Sequence, residues 1–142
     1  MLVDVNLLLN ATHRSAPQHA RASAWWEAQL NGARRIGIPW ESLTGFMRLA
    51  TNPRIMTHPL APGDAWSVVA QWLQVPVVWI PGPTDSHADV LGQLIMKYGL
   101  SGKLIPDAHL AALAIEHGLE VCSLDTDFAR FSEVRWVNPL AV

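Results

Sequence analysis

Short apolar runs alternate with helical stripes along the whole chain, and this alternation limits the available folds more than any other feature. The runs are Met1 to Val3, Arg35 to Pro39, Val77 to Ile80, Val121 to Leu124 and Val134 to Val137. They are brief and apolar on both sides, as strands are when both faces of a parallel sheet are covered. Between them apolar residues recur at helical spacing, as in Leu43, Phe46, Met47 and Ala50, or Leu91, Leu94, Ile95 and Tyr98. Helices are expected over 6–11, 18–30, 40–51, 63–73, 85–98 and 106–117, with a short helix or turn over 125–131. Asn31-Gly32, Asn52-Pro53, Gly99 and Gly118 supply the stops. Residues 101–105 read as a loop or a short extended segment, and Pro106 as a helix start. There is neither an internal repeat nor a low-complexity linker, so the expectation is a single α/β domain over 1–142 with a parallel sheet covered by helices.

Composition narrows the function. Half of the 142 residues are hydrophobic and 15% are charged, which supports a real core and excludes a disordered chain. A net charge of -2 excludes a globally basic nucleic-acid binder but leaves room for a local basic face. Arg34, Arg35, Arg48 and Arg54 stand against one acid, Glu41, in that stretch, and arginine suits planar contact with phosphate. The same run also reads as ordinary solvated charge. Cys122 is the one cysteine, so no internal disulfide forms, and it is expected on a buried strand. No stretch reaches the roughly 18 apolar residues of a membrane helix. The N-terminus lacks a signal peptide's basic region. The expectation is a cytoplasmic protein without membrane association.

The acids carry the chemistry. Asp64, Asp85 and Asp89 fit first turns of helices, and Glu27, Glu116, Glu120 and Glu133 fit exposed faces or strand approaches. Asp4, Glu41, Asp107 and Asp125 are different, because each follows an apolar run at the start of a helix or turn. In a parallel sheet such positions share one edge, where open α/β folds place their sites. Asp127 can join from the same turn as Asp125. Carboxylates brought together repel unless protons or a cation neutralise them. A hard cation such as Mg²⁺ prefers oxygen ligands and binds substrate phosphate. It would acidify water and stabilise phosphate charge, and two such ions could clamp the attacking and leaving oxygens. Each acid also has a plainer reading. Asp4 and Asp125 can cap the helices that follow them, and Glu41 and Asp107 can complement helix dipoles. Asn6, too, reads as a cap.

Other motifs add little. The six histidines form no recognised ligand spacing. His109, two residues from Asp107, points away from it and is expected at the surface or rim. Trp25, Trp26 and Trp72 belong to core or dimer packing, whereas Trp40, beside Glu41, is a candidate rim residue. Gly-rich phosphate loops and nucleophile elbows are lacking.

Three stretches together carry a resemblance. They are Met-Leu-Val-Asp4-Val-Asn6, Ile-Pro-Asp107-Ala-His-Leu-Ala-Ala-Leu-Ala, and Cys-Ser123-Leu-Asp125-Thr-Asp127-Phe128, with Glu41 at a helix start between the first two. In this combination the chain resembles the PIN-domain ribonucleases, and more closely the VapC-like toxins of bacterial toxin–antitoxin pairs. The stretch from Pro39 to Arg54 is similar to one subgroup of those toxins. The resemblance implies a three-layer α/β/α sandwich with a short-stranded, mainly parallel sheet. It implies endonuclease cleavage of RNA dependent on Mg²⁺ or Mn²⁺, with Asp4, Glu41, Asp107 and Asp125 as the acidic quartet and Asp127 as an additional acid. Asp4 and Asp107 would be the most direct metal ligands, joined by Asp125 and Asp127, with Asn6 and Ser123 in support. Serine stands at 123 where threonine is commoner. Arg48, Arg54 and Trp40 are the candidates for substrate contact. The resemblance also implies a homodimer and a cognate antitoxin. A phospho-receiver domain is the alternative from another class, but Pro81 follows Val77 to Ile80 where an acceptor aspartate is needed, and no lysine follows Val121 to Leu124. A nuclease-inactive binding module is a third reading, opposed by the intact quartet.

Overall fold

The computed structural model describes residues 1–141. In chain order the elements are β1 (Leu2–Val3), α1 (Val5–Thr12), α2 (His19–Leu30), β2 (Ile36–Gly37), α3 (Trp40–Ala50), α4 (Pro62–Gln74), β3 (Val78–Trp79), α5 (His87–Tyr98), α6 (Leu104–His117), β4 (Val121–Cys122) and β5 (Trp136–Val137). A 3₁₀ turn, Thr126–Arg130, joins β4 to β5. The sheet runs β3-β2-β1-β4-β5, and every pairing is parallel.

β1 sits at the centre because its residues are wholly apolar and both faces are covered. Side chains alternate across the sheet. Met1 and Val3 therefore enter a core with Leu8, Phe46 and Trp72 on the α1–α4 side. Leu2 faces the other way, into a core with Leu94, Leu113 and Phe128 under α5 and α6. β4 splits likewise, with Cys122 in the first core and Val121 in the second. The result is the three-layer α/β/α arrangement. Trp26 and Trp72 are buried and meet edge to face at 5.6 Å between ring centroids, so these two serve packing as expected, whereas Trp66 is 51% exposed.

Local chemistry explains the boundaries. Gly99 and Gly118 end α5 and α6 at φ of 60° and 66°, where a side chain would be strained. Four expectations change. α6 begins at Leu104, so residues 104–105 are helical; Leu104 N–H bonds Ser101 O and Ile105 N–H bonds Gly102 O, which winds the turn early. Pro106 is thus its third residue, tolerated because first-turn N–H groups have no partner within the helix. Asp85 precedes α5, which starts at His87. The side chain of Glu116 is 1% exposed and does not lie on an open face. Finally, Arg34 and Arg35 precede β2 and lie at its entry, away from the edge where Glu41 follows β2. Arg34 pairs with Glu120 at 2.5 Å and Arg35 lies over the Trp79 ring at 4.6 Å, so the arginines of 34–54 do not share one face.

Candidate active site

β1's neighbours on its two sides are reached by crossovers running in opposite directions, and the crevice beyond β1 and β4 is where such a sheet opens. Asp4 leaves β1 there. Its backbone turns out of the strand and its Oδ1 accepts the Val5 N–H at 2.8 Å, capping α1. Capping and site membership therefore coexist in one residue. Its Oδ2 accepts from Ser123 Oγ at 2.7 Å and Asn6 Nδ2 at 3.3 Å. Burial pushes the Asp4 carboxyl above its usual range; the Ser123 and Val5 hydrogen bonds oppose this, and the charge of Asp125 adds to it.

Asn6 does more than cap. Its Nδ2 also donates to Ser123 Oγ at 3.1 Å, while its Oδ1 accepts the Leu124 N–H at 3.1 Å. Ser123, fully buried, accepts the Asp125 N–H at 3.0 Å. These bonds tie the end of β1 to the end of β4. Ser42, also buried, donates to Val3 O at 2.7 Å and fastens the start of α3 to the end of β1. Nothing in the sequence separated this serine from a routine helix residue except its place beside Glu41.

Asp107 in the first turn of α6, Asp125 after β4 and Asp127 in the 3₁₀ turn each place one carboxylate oxygen so that the three lie within 4.8 Å of one another. Asp107 arrives from a helix and not from a strand end, since no strand precedes it. Burial, followed by the charges of Asp125, Asp4 and Asp127, pushes its carboxyl up to about 6. Asp125 also caps the 3₁₀ turn through the Asp127 N–H at 2.9 Å. Arg130 and Lys103 border the cluster, 3.3 Å and 3.9 Å from the two oxygens of Asp127. Neither was singled out in the sequence, although Arg130 follows Asp127 at a spacing that one helical turn brings together.

Glu41 stands outside this trio. Its side chain is 45% exposed, and Oε1 lies 2.9 Å from Nε2 of His109. His109 is thus a rim residue, as expected, but one engaged with an acid. Trp40 beside it is 44% exposed. Arg48, two turns along α3 from Glu41 and on the same side of that helix, is exposed, as is Arg54; neither has an acidic partner among the described residues.

An all-carboxylate cluster of this kind fits a hard divalent cation, whose preferred ligands are oxygens. The Asp107 carboxyl is raised first by burial and then by the charges of Asp125, Asp4 and Asp127, and a cation would relieve that second part.

Comparison with known proteins bears on the fold and the family. The family model described as PIN domain matches residues 1–134. Ribonuclease VapC33 of Mycobacterium tuberculosis is 42% identical over 140 residues, covering 99% of this chain and 98% of that protein. Ribonuclease VapC37 of the same organism is 40% identical over 141 residues, with 99% and 98% covered. Among solved structures, M. tuberculosis VapC20, described as a Sarcin-Ricin loop cleaving toxin, superposes with a TM-score of 0.68 at 18% identity, over 94% of this chain and 98% of that one. A toxin-antitoxin complex from Klebsiella pneumoniae contains a chain with a TM-score of 0.64 at 21% identity, over 97% and 96%. These two likenesses are of fold. With its sheet order, its edge of carboxylates and its match across nearly the whole length, the chain belongs to the PIN-domain family, alongside the proteins named ribonuclease VapC.

Proposed function

We propose that this protein is an endoribonuclease that depends on Mg²⁺ or Mn²⁺ and acts as the toxin of a toxin–antitoxin pair. The observation that carries the reading is the meeting of Asp107, Asp125 and Asp127 within 4.8 Å at the edge where Asp4 leaves β1, in a chain whose relatives are named ribonucleases. Asp107, Asp125 and Asp127 would hold the cation, with Asp4 as a further ligand. A bound ion of this class supplies positive charge to phosphate oxygens and makes water more acidic.

The chain's own residues orient the rest. Ser123 and Asn6 hold the Asp4 carboxylate in one rotamer, so it meets substrate without reorganisation. Exposed Arg48 and Arg54 supply planar donors for the phosphate backbone, and Trp40 a surface on which an unpaired base can stack. Glu41, at the same edge, completes the acidic set as a catalytic carboxylate. The antitoxin partner rests on the family resemblance and on the Klebsiella fold neighbour, solved as a toxin-antitoxin complex; the homodimer rests on the resemblance alone, and the cytoplasmic site of action on the single cysteine, which suits a reducing compartment. No helix among the described residues is long and apolar enough to cross a membrane.

The test is incubation of the purified protein with total cellular RNA in Mn²⁺, in Mg²⁺ and in chelator, with new ends mapped. The expected result is discrete cuts in either metal, none in chelator and none from Asp107→Ala. Full cleavage by Asp107→Ala would remove that residue from the chemistry, and cutting in chelator would remove the metal.

A further inference from the structure

We propose that Lys103 and Arg130 hold backbone phosphates of a single-stranded RNA on the α6 side of the acidic edge, and that they turn to the RNA from Asp127. The proposal rests on the ribonuclease reading above and adds two residues that touch substrate.

Each carboxylate oxygen of Asp127 faces a cation. Arg130, the last residue of the 3₁₀ turn, donates from Nε to Asp127 O at 3.0 Å and from one terminal nitrogen to Asp127 Oδ1 at 3.3 Å. A guanidinium has five N–H donors, so these two bonds leave three unused. Lys103 stands just before α6, after Gly102 at φ of 59°. Its Nζ is 3.9 Å from Asp127 Oδ2, beyond hydrogen-bond length, and its side chain is 87% exposed. Arg34, Arg135 and Lys97 are engaged elsewhere, with Glu120 and Glu133. Among the described residues, Lys103 and Arg130 are the two basic side chains paired with a member of the Asp107, Asp125 and Asp127 group.

Ion pairs this exposed add little to stability, so the fold gains little from placing both cations here. What they supply is positive charge where three acids would otherwise repel RNA. When Asp127 ligates a cation its oxygens are engaged, and Lys103 and Arg130 lose their partner. Their donors then match phosphate oxygens, bidentately for arginine and as a point charge for lysine. They also add a second side of contact. β2 and β4 flank β1 in the sheet. Arg48 and Arg54 follow from β2 through α3, whereas Lys103 and Arg130 belong to the start of α6 and the turn after β4. An RNA strand laid across the end of β1 meets cations on either hand.

The probe is a fluorescent oligoribonucleotide spanning a cut mapped on total RNA. Its binding to the full chain is read by stopped-flow anisotropy, before cutting, over a range of salt, in Mn²⁺ and in chelator. In Mn²⁺, Lys103→Gln and Arg130→Gln are each expected to weaken binding several-fold. Each should also make the fall of log affinity with log salt shallower by about 0.7, the value for one phosphate contact on a single strand. In chelator Asp127 keeps both cations, and the variants should match the wild type. Arg14→Gln is the control: it removes an exposed arginine beyond the far end of α1 from Asp4 and should leave the slope as it is. Unchanged slopes for Lys103→Gln and Arg130→Gln in Mn²⁺ would overturn the phosphate contacts and leave the ribonuclease reading standing. An equal change in Arg14→Gln would reduce the effect to net charge and overturn them as well. The same change in Mn²⁺ and in chelator would overturn the exchange from Asp127. If total RNA yields no cut to span, the ribonuclease reading fails first, and this proposal goes with it.

Discussion

Ser123 donates to Asp4 and accepts from Asn6 and the Asp125 N–H, so one buried hydroxyl serves three site residues. Ser123→Ala would leave an Asp4 oxygen short of a donor and the Asp125 N–H without its acceptor. The expected cost is about 1–3 kcal/mol of stability and a roughly 10–100-fold loss of RNA cleavage, read by denaturant unfolding and by initial rates. The Asp4 carboxyl should rise further, because a hydrogen bond that lowers it is gone. The sequence marked Ser123 through family resemblance, not through any chemical pattern, since a small polar residue in an apolar run has many uses. Its hydrogen bonds span 117 and 119 positions to Asn6 and Asp4, a separation that local spacing cannot reveal.

Among the elements, α6 has the most to reconcile. Ala108, Ala111, Ala112, Leu113 and Ala114 are fully buried, so small residues let the helix lie close to its neighbours while Asp107 reaches the acidic edge and His109 and Glu116 meet side chains of other elements. Leu113 sits in the core with Val121 and Phe128. Leu113→Ala is expected to cost about 2–5 kcal/mol through lost burial and the cavity left behind, measurable by denaturant unfolding. A loss below about 1 kcal/mol would mean that the α5–α6 side tolerates looser packing than its burial implies. The apolar stripe and the Gly118 stop were readable in the sequence because both are local. The start at Leu104 was not, because Pro106 looked like a first residue and the early turn depends on Gly102 at φ of 59°. Glu116 was misplaced for a related reason: its side chain looked like a solvated end-of-helix charge until Thr84 and His87, from beyond β3, closed over it.

At the scale of the whole molecule, the acidic edge is a strain on the fold. Asp107 holds its proton more tightly in the folded state, at about 6 against 3.8. In chelator, therefore, stability should fall as pH rises from 3.8 through about 6 and stay lower above it. Asp107→Asn should flatten that fall. For the wild type at neutral pH, a cation at 100 times its dissociation constant should restore about 2.7 kcal/mol, seen as a rise in melting temperature of several degrees. The variant should show a much smaller rise. A wild-type melting temperature indifferent to Mn²⁺ and Mg²⁺ would count against the cation.

The sequence by itself determined the alternation of strand and helix, the parallel sheet, the helix stops and the identity of the acids, because periodicity and capping act over a few residues. Tertiary structure alone decided which acids converge. Asp107, Asp125 and Asp127 form the tight group, Asp4 is held beside them by Ser123 and Asn6, and Glu41 is turned to His109. It also decided that Arg34 and Arg35 belong to the opposite edge and that the Glu116 side chain is covered by Thr84 and His87. The physical reason is common to all of these. Side-chain direction at the end of a strand is fixed by hydrogen bonds to chain far away in sequence, and a carboxylate becomes a ligand, a cap or a buried anchor according to the donors that reach it.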